Sequence, residues 1–158
     1  MAESRDTELR RYATVLVGMV TILLGAVIIP AWGFTALLSD SDPISSDDIS
    51  AAAGPLMIVS ALAVMALCLT VVGSGIRAGT HTFPWLLALF TGVGAYLLAA
   101  MIGIIFTLPP EETFASLYLL WFIPLGFLGA VTYWAILARH AFTDRTRPRW
   151  PWENPEDE

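Results

Sequence analysis

Lysine and glutamine are missing from this chain, while asparagine occurs once (Asn154) and cysteine once (Cys68). The lone cysteine lies in an apolar run and has no partner for an internal disulfide. With His81 and His140 as its only histidines, the chain lacks the Cys/His set of a zinc site. Charge is equally scarce: 14% of the residues are charged, where soluble domains carry about 25%. There is too little polar surface to wrap a globule in water, so lipid has to cover much of it. No basic face large enough for nucleic acid exists, and nothing in the chain calls for a cofactor. All eight cationic side chains are arginine, which together with abundant Ala, Gly and Val points to a GC-rich bacterial genome.

What fills the chain instead is apolar: 56% of residues are hydrophobic and the mean hydropathy is +0.69. Four runs, at 12–38, 52–76, 83–108 and 113–138, carry no formal charge. At about 1.5 Å per residue each exceeds the roughly 30 Å of bilayer hydrocarbon. None alternates polar and apolar residues as a membrane β-strand would. Backbone groups in lipid must be satisfied within their own segment, so the runs predict helices. The expectation is an all-α, polytopic four-helix bundle at 12–138, with an N-terminal segment at 1–11 and a tail at 139–158. The first run is too long for a cleaved signal peptide, and Trp32 and Phe34 stand where a small-residue cleavage site would lie. Pro30 is expected to bend or end the first helix, and Pro124, followed by Gly126 and Gly129, to kink the fourth.

The connections set an orientation. Arg5, Arg10 and Arg11 precede the first span, Arg77 lies between the second and third, and Arg139, Arg145, Arg147 and Arg149 follow the fourth. The opposite connections hold Asp40, Asp42, Asp47, Asp48, Glu111 and Glu112 and no cation. By the positive-inside rule both termini are expected in the cytoplasm of a plasma-membrane protein. The aspartates supply oxygen ligands, but Ser45 occupies the EF-hand glycine position and no Glu follows at the twelfth, so no metal site is expected there. Helix capping near Ser46–Asp48 and topology signalling are the simpler roles. Pro109-Pro110-Glu111-Glu112 reads as a helix start, with proline at its first position and carboxylates at the positive dipole end.

Within the spans there is no Asp, Glu, Lys, Arg, His, Asn or Gln. Ionisable groups in a membrane mark proton relays and ion sites, so their absence argues against proton-coupled antiport, intramembrane metalloproteolysis and haem binding. Polarity there is limited to hydroxyls such as Thr21, Ser60, Thr70, Thr91, Thr107 and Thr132. A serine or threonine nucleophile needs a base, and none is at hand; bonding to a carbonyl one turn back is the expected use. No catalytic residue is assigned. Small residues are more ordered. Thr14, Gly18, Thr21 and Gly25 share a face of the first helix, Ala88, Gly92, Ala95, Ala99 and Gly103 of the third, and Gly126 and Ala130 of the fourth. Such stripes let helix backbones approach closely, either inside the bundle or against a partner or a second copy.

The tail reads Arg145-Thr146-Arg147-Pro148-Arg149-Trp150-Pro151-Trp152-Glu153 before an acidic end. Its prolines favour an extended path. Arg145, Arg147 and Arg149 suit anionic headgroups and Trp150 and Trp152 the interface; docking on a partner is the alternative. Four spans, arginine-only cations and this R-P-R-W-P-W-E tail resemble small, uncharacterised four-span membrane proteins of actinobacteria, a resemblance that implies no activity. The sequence therefore predicts a non-catalytic membrane protein acting through helix packing as an accessory or scaffold subunit. A small oligomeric transporter or channel for an apolar or lipid-like solute is the alternative.

Overall fold

A computed structural model describes residues 2–40, 44, 50 and 52–142. The helices are α1 (Ala2–Ser39), α2 (Ala53–Arg77), α3 (Trp85–Ile105), α4 (Pro110–Thr113), α5 (Leu117–Leu120) and α6 (Phe122–Phe142). Four stretches are long and apolar enough to cross a membrane: Thr7–Ser39, Ala53–Arg77, Trp85–Ile105 and Pro110–Phe142. The fold is an all-α bundle. α1 and α3 each pack against α2 and α6, and α2 and α6 also touch each other across the middle.

Pro30 does not end the first helix, and Pro124 lies near the start of one. α1 runs without interruption through Pro30 to Ser39, as membrane helices can when local adjustments re-satisfy the freed carbonyl. The fourth crossing is broken rather than kinked. Four-residue α4 and α5 precede α6, and Ser116 and Trp121 lie between the pieces. Pro124 thereby sits in the first turn of α6, where its missing N–H leaves no helical bond unmade. Tyr96 of α3 steadies this broken region by donating its hydroxyl to the Phe114 carbonyl at 2.8 Å. α4 has the expected start, with proline at its first position and Glu111 and Glu112 in its first turn.

α1 also reaches further towards the N-terminus than its apolar run, beginning at Ala2. Residues 2–11 contain no proline or glycine, so nothing in them interrupts a helix that continues beyond the lipid.

α2 and α3 end by one device. At α2, Thr80 N–H donates to the Gly75 carbonyl and Gly79 N–H to Ile76, both at 3.0 Å. At α3, Leu108 N–H donates to Gly103 at 3.0 Å and Thr107 N–H to Ile104 at 2.9 Å. This double bond pattern needs a left-handed residue after the helix. Gly79 supplies it at φ +84°, but in α3 the position falls to Thr107 at φ +61°. A β-branched residue there is strained by about 1–2 kcal/mol. Thr107→Gly is expected to raise stability by about 0.5–1 kcal/mol net of glycine's extra chain entropy. Thermal unfolding in detergent should show a higher midpoint; a lower one would mean that the threonine makes a compensating contact.

Inside the bundle, Tyr133, Phe122, Ile28, Met57, Met65, Leu69, Leu119 and Leu137 are fully buried. Apolar side chains on the outer surface, such as Leu37, Leu86 and Ile22 (79%, 76% and 75% exposed), point away from the protein. Only lipid or another protein can cover so many of them.

Candidate functional site

One end of the bundle gathers the start of the first crossing, the α2–α3 turn and the end of α6. Tyr12 stacks on His140 with ring centroids 4.2 Å apart, and His81 of the turn meets Phe142 at 4.1 Å. Exposed Arg10, Arg11, Arg77 and Arg139 lie at this arginine end. The two histidines thus brace the end of α6 by ring contact with α1 and with the turn. Asp40, Glu111 and Glu112 lie at the opposite, acidic end. Asp42, Asp47 and Asp48 fall outside the described residues, as do the tail positions Arg145, Arg147, Arg149, Trp150 and Trp152. Among the described residues no three His, Cys, Asp or Glu side chains come together as a metal site would require.

The small residues divide into two groups. On α3, Ala88, Thr91, Gly92, Ala95, Ala99 and Gly103 are buried, and on α6 so are Gly126 and Ala130. At their crossing the backbones touch: a Cβ added to Gly126 would lie 2.6 Å from Gly92 Cα. Gly103 is covered by Thr113, whose methyl would stand 2.7 Å from an added Cβ, and by Leu108 at 3.2 Å. This group is consumed in holding the bundle together.

The α1 group lies elsewhere. The face of α1 turned to the core carries Leu16, Val17, Val20, Leu24, Ile28 and Trp32. Thr14 and Gly18 are exposed, and Thr21 and Gly25 half-buried. An added Cβ meets nothing within 4 Å at Gly18 or at Gly33, and at Gly25 it meets only the end of Leu62, at 3.2 Å. Sequence reasoning passed over Gly33. At 100° per residue it falls on the Gly18 face together with Ile22 and Ile29, a signal available from spacing alone. Beside this face an apolar groove of about 570 Å³ runs between α1 and α6, lined by Met19, Leu23, Ala26, Thr132 and Ile136 among others.

The hydroxyls mostly bond along their own helices. Thr14 donates to the Arg10 carbonyl at 3.0 Å, Ser60 to Met57 at 2.9 Å, Thr70 to Leu67 at 2.6 Å and Thr91 to Leu87 at 2.8 Å. Thr35 donates to Ala31 at 2.8 Å while accepting from Trp121 Nε1 at 2.9 Å, which ties α1 to the break before α6. Thr21 departs from the pattern, its buried oxygen having no hydrogen-bond partner among the described residues.

These features define a four-span, all-α membrane protein whose distinctive surface is an open small-residue face on α1. The chain belongs to DUF6121, a family of unknown function whose model matches residues 4–158. No curated protein and no solved structure matches it.

Proposed function

We propose that this chain is a non-catalytic plasma-membrane protein, an accessory or scaffold subunit that offers α1 to a helix of another membrane protein or of a second copy. The observation that carries this reading is the contrast between the two groups of small residues. On α3 and α6 they are spent on internal packing; on α1, Gly18 and Gly33 have room around them. Without a hydrophobic force between helices in lipid, close backbone approach is what makes such a face adhesive. A core closed by large side chains such as Tyr133, Phe122, Met65 and Leu69 favours packing over transport through a single copy. We place the arginine end in the cytoplasm on the charge asymmetry, and the arginine-only composition suits an actinobacterial source.

Gly18→Leu is expected to abolish association while leaving the stability within about 0.5 kcal/mol of the parent. Differently tagged copies, purified in mild detergent, report self-association and any stoichiometric membrane partner. A parent protein recovered only as a lone monomer, without a partner, would refute the proposal. So would a Gly18→Leu protein that retains every partner.

A further inference from the structure

The groove of about 570 Å³ between α1 and α6 falls within the size range of ligand pockets, about 300–1,000 Å³. Leu16, Met19, Leu23 and Ala26 form its α1 wall, and Thr132 and Ile136 its α6 wall. All six belong to membrane-crossing stretches, and Met19, Leu23 and Ile136 are exposed, so the groove opens sideways onto lipid rather than water. From Leu16 to Ala26 it runs about 15 Å, the depth of one leaflet's hydrocarbon. It lies towards the arginine end of the uncharged run 12–38. An acyl chain of the leaflet at that end therefore matches it in length and chemistry.

The groove closes on polar groups. Tyr12 stands one turn before Leu16 on α1, and His140 one turn after Ile136 on α6. Their rings stack at 4.2 Å and so join the two walls where the groove ends. Arg139 follows Thr132 by two turns and continues the same face of α6. All three side chains are exposed, and each can donate a hydrogen bond. An arginine at the membrane edge attracts anionic headgroups, and its planar fork fits a pair of phosphate oxygens. Glu8 is exposed a further turn out on α1. A carboxylate there opposes headgroups that carry several anions, so the cap suits a single phosphodiester.

We propose that this chain holds one phospholipid, with an acyl chain in the α1–α6 groove and its phosphate against Arg139 and the Tyr12–His140 pair. This lipid site stands apart from the helix partner of α1, which the Gly18 face would receive.

The test titrates the delipidated full chain in mild detergent with phosphatidylglycerol, or with diacylglycerol of the same chains, and reads occupancy by native mass spectrometry. One phosphatidylglycerol per chain is expected, bound about fivefold tighter than diacylglycerol. Arg139→Gln should erase that preference while leaving diacylglycerol binding as it was. Ala26→Phe, which fills the groove, should weaken both lipids about tenfold. Val59→Phe, on the exposed side of α2, should change neither, and nor should Gly18→Leu. Equal binding of the two lipids by the parent would overturn the proposal, as would lipid uptake without a saturable first site. An Ala26→Phe protein that keeps its lipid but loses self-association would also overturn it, because the groove would then seat a second copy. Loss of lipid in Gly18→Leu would do the same by placing the lipid on the small-residue face.

Discussion

Gly92→Val should prevent the bundle from forming. A Cβ on Gly92 would overlap the Ile123 carbonyl oxygen and lie 2.9 Å from both the Ile123 carbonyl carbon and Cα. These are backbone atoms in the first turn of α6, so no rotamer change relieves the clash and the whole helix must retreat. Retreat separates α3 from α6 along Ala95 and Ala130, both fully buried. In lipid the lost van der Waals contacts have no hydrophobic substitute. The cost should reach or pass the upper end of ordinary overpacking, about 3 kcal/mol. Size-exclusion chromatography should show aggregate in place of a single species. Gly18→Val, on an open surface, should fold and elute as a single species without aggregate, whatever becomes of its association. A Gly92→Val protein with a parental elution profile and thermal midpoint would show that the two backbones do not touch.

The second large effect is conditional on a partner residue. A Cβ at Gly73 would collide with the Tyr133 hydroxyl, whereas the ring carbon bearing it stands 3.3 Å away. Tyr133 is fully buried and cannot swing aside. Gly73→Ala alone should therefore destabilise by about 1–3 kcal/mol, despite alanine's better helix propensity. In the Tyr133→Phe background, where the oxygen is gone, the same change should cost little or turn favourable. A coupling of about 1–2 kcal/mol between the two sites is expected from a double-mutant cycle of thermal or SDS unfolding. Additive effects would mean that the space above Gly73 is set by something other than this hydroxyl.

How much of this could be read from residues alone depends on which forces leave a mark in composition. The four crossings were legible because a charge in hydrocarbon is costly enough to be kept out of 27 consecutive residues at 12–38. The start at Pro110 was legible because proline and two glutamates each fit a helix N-terminus. The break at Ser116 was not. Hydropathy counts side chains, and the stretch around Ser116 is largely apolar, although the backbone is extended at Ser116. Spacing identified Gly92 and Gly126 as small residues on helix faces. It could not say that these two meet each other, since sequence does not show which faces are opposed. The same limit hid the fate of Gly18, whose stripe looks like that of α3 until Leu16, Val20 and Leu24 are seen to occupy the core side. Thr107 gave no signal at all, because its left-handed backbone is imposed by the bond pattern after α3 rather than chosen by the residue.

The helices are unequal in length. α3 has 21 residues, about 32 Å, close to the roughly 30 Å of hydrocarbon. α1 has 38 residues, about 57 Å, and its uncharged part alone is about 40 Å. No single bilayer thickness suits both. α3 can stand nearly upright, while α1 must lean or leave apolar turns among the headgroups. When the membrane thins, the added lean falls on α1, the helix that also carries the open face. The tilt of the open α1 face is thereby coupled to the thickness of the bilayer around it.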